Sequence, residues 1–389
     1  MTERLIIAGG GLSGVLTAMA FVRARPDVAV TVVEANDTLG GDHTWSFYET
    51  DLNARAAMLV EPLIAHRWDG YETRFRGFSR TFTTGYRSIT SRNFHAVAME
   101  RLGDRVRLGA RVASIDGTGL TLASGARLEA DAVIDARGAR RLDGVALRWQ
   151  KFLGREVRLS APHGLTHPVI MDANVPQVDG YRFVYVLPFT PDTLLIEDTY
   201  YSEGAAVNAE ALRARIDDYA AGRGWTIEET LREEQGALPL LLSGDFPAMW
   251  AGAAPVGGAV PLGLRAGLFH PVTGYSLPSS ARTAVALASL TGPLKSDRLR
   301  AAVEGIVRKH FARSGFDRLL NRLLFLAGEP QDRHLVLERF HKLPQPLIER
   351  FYAGRLPRAY KLRILMGKPP VPLLKAVRVV PERAAMQAR

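Results

Sequence analysis

The residues with the most definite chemical reading lie in the first forty. Gly9-Gly10-Gly11-Leu12-Ser13-Gly14 has glycines in Gly-x-Gly-x-x-Gly spacing. Gly9 permits a tight turn, Gly11 lets backbone approach a pyrophosphate, and Gly14 lets a helix pack on a strand. A helix starting there offers free N–H groups and a partial positive charge to phosphate. Glu34, 20 residues past Gly14, can accept hydrogen bonds from ribose hydroxyls. The chemistry indicated is the binding of a dinucleotide, and the bland alternative is a glycine-rich turn in a nucleotide-free fold.

The flanking elements decide between these. Arg4 to Ala8 reads as a short buried strand, Ser13 to Arg25 as a helix stopped by Pro26-Asp27, and Val28 to Val33 as a second buried strand. This is a βαβ unit with the glycines at its first turn. Thr38-Leu39-Gly40-Gly41 resembles the glycine pair that flavoproteins place after the ribose-binding acid. Asp131 to Gly138, with Arg137 and Gly138 at its end, resembles the strand-then-Gly element by which many FAD enzymes return to the cofactor. Together they favour FAD over NAD alone.

The chain has 389 residues, 47% apolar and 23% charged, which suits two or three globular domains and excludes collagen, coiled coil and general disorder. It has no cysteine, so disulfides, thiolate zinc sites, iron–sulfur clusters and a cysteine nucleophile are excluded. His163 and His167 are four apart, but Gly164 and Pro168 make that stretch a loop, so no metal site is expected. The net charge of +10 is localised. Residues 297–389 contain 20 Lys+Arg against 8 Asp+Glu, which leaves the rest slightly acidic. The longest uncharged stretch, Phe246 to Leu264, carries three prolines and cannot be a membrane span. Three glycines interrupt the uncharged N-terminal run, so no cleaved signal is expected.

Further on, Phe94 to Leu102 reads as a helix with Ser91 as N-cap, and Val106 to Leu128 as small hairpins. Tyr181–Phe189 and Thr193–Tyr201 read as a hairpin about Pro191-Asp192. Glu210–Gly222 reads as a helix and Glu228–Gln235 as another; a helix is expected around Ser280–Leu290, and the last 90 residues look helical with a late break at Pro369-Pro370-x-Pro372. The expected class is α/β. An FAD-binding Rossmann-like domain with a parallel sheet is expected from 1–149 and 250–295, discontinuously. A β-rich substrate domain over 150–249 and a helical basic region over 296–389 complete the expected architecture.

Several longer stretches carry a family resemblance. They are Gly40-Gly41-Asp42-His43-Thr44-Trp45-Ser46-Phe47, Leu194-Leu195-Ile196-Glu197-Asp198-Thr199, Arg232-Glu233-Glu234-Gln235-Gly236-Ala237-Leu238-Pro239, Gly267 to Pro278, Leu323 to Gly328 and Arg350 to Gly354. The chain resembles the bacterial lycopene β-cyclases from end to end, with Asp42 in place of a usual Asn and Tyr200 in place of a common His. The resemblance implies conversion of lycopene through γ-carotene to β-carotene, with reduced FAD required and NADPH as electron donor, and no net redox change. It implies acyclic carotenoids as substrates, and a cytoplasmic protein held peripherally at the inner face of the cell membrane.

That chemistry needs a proton delivered to a hydrocarbon double bond inside an apolar pocket. The resemblance implies Glu197 as the acid. The preceding Leu194-Leu195-Ile196 would bury it, and burial raises a carboxyl pKa. In an unbroken strand Glu197 and Asp198 face opposite ways, and sequence does not choose between them. His43, Trp45 and Phe47 would either line the pocket or pack beneath the cofactor. His270, Pro271, Thr273 and Gly274 are expected near the isoalloxazine or pyrophosphate, with a backbone-bonded loop histidine as the alternative for His270. Arg358, Lys361, Arg363, Lys368 and Lys375 alternate with Leu362, Ile364, Leu365, Met366, Leu373 and Leu374, which suits docking on an anionic membrane. No motif supports nucleic-acid binding. The competing readings are an NADPH-consuming monooxygenase or reductase on a prenyl substrate, and a binding protein without catalysis.

Overall fold

The computed structural model describes residues 2–367 and 370–387. The opening βαβ unit forms as its pattern requires: strand Glu3–Ala8, helix Leu12–Ala24, strand Val28–Val33. These strands sit in a five-stranded parallel sheet ordered Val260–Pro261, Ala132–Asp135, Glu3–Ala8, Val28–Val33, Val106–Arg107. Leu5 and Ile7 point into a core completed by the helices Leu12–Ala24, Leu277–Ala288 and Ser296–Arg313. Ile6 and Ala8 point the other way, under a small antiparallel sheet that buries Leu120. With both faces covered, the strands read as unbroken apolar runs.

The second layer is a seven-stranded sheet ordered Ile227–Gly244, Val145–Leu159, Thr193–Ser202, Tyr181–Pro188, Val169–Asp172, Tyr71–Phe75, Phe78–Phe82. Its two faces differ in chemistry. Val184, Val186, Leu194 and Ile196 pack under the helix Ala209–Gly222. The opposite face carries Tyr181, Phe183, Tyr185, Leu195 and Tyr201. Over it lie residues of the short sheet Thr44–Tyr48, Tyr86–Thr90, His66–Trp68, and of the C-terminal helices.

Two local expectations are corrected. Glu228–Gln235 is strand, part of Ile227–Gly244, because pairing with Val145–Leu159 overrides the helix propensity of its Glu and Arg. The helix Ser91–Leu102 is capped by Thr90, whose hydroxyl accepts from Asn93 N, and Ser91 lies inside it. Lys368 and Pro369 lie outside the described residues. The C-terminal basic excess is partly internal. Arg322 donates to the carbonyls of Leu242, Val379 and Val380, and Arg333 to those of Leu324 and Phe325.

Candidate functional site

The glycine turn is built by close contacts. A Cβ on Gly14 would lie 2.0 Å from the Gly9 carbonyl oxygen, and one on Gly9, at φ +107, would collide with Ala136. Gly11 differs: a Cβ there meets nothing within 4 Å. It is the N-cap of the Leu12–Ala24 helix and no side chain caps that end. Glu34 accepts from Gly10 N at 2.7 Å and from Asn36 N at 2.8 Å, so the acid is fixed beside the loop. Ser13 is bonded to Ser280 at 2.7 Å, which ties this helix to Leu277–Ala288. Arg137 is exposed and paired with Asp135 at 2.8 Å; Arg265 approaches the same carboxylate at 3.3 Å. Gly138 is exposed beside it. A bare, uncapped helix start with an acid next to it and two arginines at the neighbouring strand end fits the two phosphates of a dinucleotide.

Gly41 and His43 lie on an exposed loop beyond this turn, His43 with its ring 6.0 Å from Trp45. The following strand splits its residues. Trp45 packs on Phe94 at 4.9 Å and Phe47 enters the core of the parallel-sheet unit. Thr44, Ser46 and Tyr48 alternate with them. Tyr48 stacks among Tyr71, Tyr86 and Tyr352, each about 5 Å away. Trp45 and Phe47 are therefore packing residues, and the residues between them meet the tyrosine face.

Pro271, Thr273 and Gly274 are buried in the turn before the Leu277–Ala288 helix. The Pro271 carbonyl accepts from Leu241 N and from Asn321, and the Val272 carbonyl accepts from the Tyr201 hydroxyl. A Cβ on Gly274 would lie 2.5 Å from Leu238 Cβ, so the turn lies directly on the large sheet. His270 bonds Phe351 O through Nε2 and accepts from Val272 N through Nδ1. Burial pushes its pKa down to about 4, so it is a neutral residue that fixes the turn.

Glu197 and Asp198 emerge on opposite faces. Asp198 is fully buried beneath the Ala209–Gly222 side, where Arg182 holds it through Nε at 2.9 Å. Glu197 lies on the tyrosine face. Its Oε1 accepts from Thr199 at 2.6 Å. Burial pushes its carboxyl up to about 8, the charge of Glu234 adds to the rise, and the Thr199 bond opposes it. Such a carboxyl is about nine-tenths protonated at pH 7. Once the carboxyl is ionised, its charge holds the phenols of Tyr185 and Tyr275 further towards their neutral form. Tyr185 and Tyr86 share a hydrogen bond of 2.9 Å. Burial raises the pKa of both, so they present neutral rings at ordinary pH.

Next to Tyr275 opens a cavity of about 440 Å³, lined by Ser46, Tyr48, Tyr352, Asp51 and Arg282 among others. Asp51 is buried, accepts from Tyr48 N at 3.0 Å, and is pushed up to about 7 by burial. The arrangement places the Glu197 carboxyl near Tyr275, which lines a partly open cavity together with the neutral rings of Tyr48 and Tyr352. It can deliver a proton to an apolar substrate and surround the resulting cation with ring faces.

Three of these groups had no assigned role in the sequence reading: Glu234, the tyrosine wall and Asp51. Glu234 lies in the Arg232–Pro239 motif, but a helix expected over Glu228–Gln235 does not show which way its side chain points in a strand. The period-2 alternation Arg232, Glu234, Gly236, Leu238 was the available signal. No cluster of His, Asp and Glu suited to a metal occurs among the described residues.

Comparison with known proteins extends this geometry. Residues 4–378 match the family described as lycopene cyclase protein. The chain is 46% identical to the lycopene beta-cyclase of Pseudescherichia vulneris over 374 residues, 96% of each chain. It is 44% identical to that of a Paracoccus strain over 387 residues, 100% of this chain and 99% of the relative. Among solved structures it resembles a flavin-dependent halogenase from Xanthomonas campestris (TM-score 0.62, 13% identity, 100% and 96% covered). It also resembles a Klebsiella pneumoniae protein solved with FAD and uric acid (TM-score 0.59, 14% identity, 91% and 96% covered). At these identities the structural likeness concerns the fold.

Proposed function

The chain belongs to the lycopene cyclase family, and on that premise we propose that it is a lycopene β-cyclase in which Glu197 is the initiating acid. The supporting observation is the Glu197 carboxyl, pushed up to about 8 by burial, on the sheet face that carries Tyr181, Tyr185 and Tyr201. Glu197 gives its proton to the terminal double bond of a ψ-end. The tertiary cation is captured by the neighbouring alkene, a ring closes, and transfer of a ring proton to the carboxylate that Glu197 has become leaves the β-ionone double bond and restores the acid. Thr199 holds one carboxyl oxygen, so the acidic proton belongs to the other. Tyr48, Tyr86, Tyr185 and Tyr275 stay uncharged and offer π-faces to the cation. Asp198, neutralised by Arg182 on the far side, takes no part in the transfer.

The cofactor we assign is FAD, to the unit of 1–149 and 250–295; the carotenoid we assign to the sheet of 150–249, whose far edge Tyr71–Phe75 and Phe78–Phe82 complete. Gly9 to Gly14 with Glu34 would hold the pyrophosphate and ribose, with Arg137 and Gly138 near the phosphates. Gly41, His43, Pro271, Thr273 and Gly274 would border the ring system. When bound and reduced by a donor such as NADPH, the flavin would supply negative charge that favours a cation in the pocket.

The substrate is dissolved in lipid, and no helix among the described residues is long and apolar enough to cross a membrane. We propose that residues 358–380 dock on the inner face of the cell membrane. Leu362, Leu373, Leu374 and Val377 are each more than 60% exposed there, beside Arg358, Lys361, Arg363 and Lys375. An exposed apolar surface rimmed by cations suits an anionic bilayer.

Anaerobic incubation with lycopene in liposomes, FAD and excess NADPH tests the activity. A product isomeric with lycopene and little NADPH lost is the expected outcome. A product of changed mass with matching NADPH loss would establish the oxygenase or reductase reading instead.

A further inference from the structure

We infer that Glu234 is a positioning carboxylate for the cyclisation acid: its charge, held across Gly154 on the same sheet face as Glu197, keeps the proton on Glu197. The inference rests on the assignment of Glu197 as the acid.

The geometry comes from strand register. In the central strand Val145–Leu159, Gly154 is paired with Glu197 on one side and Glu234 on the other. Three cross-strand partners share a face, so the two glutamates flank a position that has no side chain. A Cβ built on Gly154 would lie 3.3 Å from Glu234 Cγ and 3.4 Å from Glu197 Cβ. The glycine therefore leaves open the space between the two acids that any other residue would fill.

Glu234 is itself 4% exposed and firmly held. Its Oε2 accepts from Thr44 N at 2.7 Å, and Arg232 approaches the same oxygen at 3.3 Å. Its Oε1 is buried and has no hydrogen-bond partner. A buried oxygen of this kind is costly unless a donor is available. Arg232 is divided between Glu156 and Glu234, so its positive charge is not spent on Glu197 alone. The other groups facing Glu197 are Thr199 on its own strand, Asp198 behind the sheet, and the neutral phenols of Tyr185 and Tyr275. Glu234 is the charge placed to oppose ionisation of Glu197 from the front of the sheet.

Glu234→Gln tests this, since Gln keeps an oxygen for Thr44 N and Arg232 but carries no charge. Cyclisation rates per bound flavin are measured from pH 5.5 to pH 9 for the wild type, E234Q, E234D and E197Q. In E234Q the alkaline loss of activity should move down by about half a pH unit or more, with rates at the acid end within about twofold of wild type. E234D, which keeps the charge, should hold the wild-type limb. An unmoved limb in E234Q, an equal loss at every pH, or the same shift in E234D would overturn the inference. Should E234Q lose its flavin, E234D alone decides: a displaced limb with the charge kept overturns the inference, and a wild-type limb supports it. E197Q separates the premise: activity retained there removes Glu197 as the acid, whatever Glu234 does.

Discussion

Glu197 and Asp198 are adjacent in the chain and lie on opposite faces of one sheet, the first among tyrosines and the second locked to Arg182. Two neighbouring carboxyls therefore have separate work. E197Q should lower the cyclisation rate by about a hundredfold or more, the range for loss of a general acid, while flavin content is unchanged. D198N should instead cost about 3–5 kcal/mol in denaturant unfolding, because Arg182 is left buried without its partner. The folded fraction of D198N should still turn over. Equal kinetic damage in both variants would merge the two roles.

The pH dependence follows from the sign of the Glu197 shift. The acid works when protonated, and its carboxyl is pushed up to about 8. The rate should hold through neutral pH and fall as pH rises through about 8. A rate already falling from pH 5 would mean a carboxyl in the ordinary range.

Two glycines of the first turn give a controlled comparison. G14A places a Cβ 2.0 Å from the Gly9 carbonyl oxygen and should prevent stable folding. G11A meets no protein atom within 4 Å, so the flavin-free protein should melt as wild type does. Flavin affinity of G11A should nevertheless drop about tenfold or more, because the added methyl occupies the phosphate approach. Unchanged flavin affinity in G11A would move the pyrophosphate elsewhere.

How much of this was legible in sequence depends on the range of the interactions. The βαβ turn and Glu34 are set by contacts within forty residues, so their spacing carried them. The resemblance motifs brought in Glu197 and the Gly267–Pro278 turn. The Glu197–Gly154–Glu234 row was hidden, because it exists only once three strands separated by up to 80 residues are in register. Trp45 and Phe47 illustrate a related limit. Their strand was recognisable, but which of its faces meets the pocket is fixed by Phe94 and by the tyrosines, both distant in sequence.

Two sets of groups tie stability to pH in opposite directions. His341 is buried and His270 half-buried, and desolvation pushes both pKa values down to about 4, below the ordinary 6.5. An unfolded chain binds those protons first, so their contribution is present above about 6.5 and is lost as pH falls towards 4. Glu197 and Asp51, raised to about 8 and about 7, act in the opposite direction: their contribution is present below the ordinary carboxyl range of about 4 and is lost as pH rises from there to those values. The fall in thermal stability between about pH 6.5 and 8 should be shallower in E197Q than in wild type, and between about pH 4 and 6.5 H341Q should lack the rise with pH that His341 supplies. An E197Q profile that falls as steeply as wild type above pH 6.5, or an H341Q profile unchanged below it, would contradict the corresponding shift.

Membrane docking has its own test. Charge reversal of Arg358, Lys361, Arg363 and Lys375 removes about 1 kcal/mol each of attraction to an anionic surface. Binding to anionic liposomes should collapse while binding of wild type to zwitterionic ones stays weak. Unchanged liposome binding would place the docking surface elsewhere.

The most direct measurement of acid-initiated cyclisation is the mass of the product formed from lycopene in D₂O, under anaerobic conditions with NADPH monitored. A proton delivered from an exchangeable carboxyl enters the ring and a different, carbon-bound proton leaves. β-Carotene heavier by one mass unit per ring closed, with NADPH essentially unspent, is the predicted result. Unlabelled β-carotene, or a product reduced or oxygenated in step with NADPH loss, would contradict it.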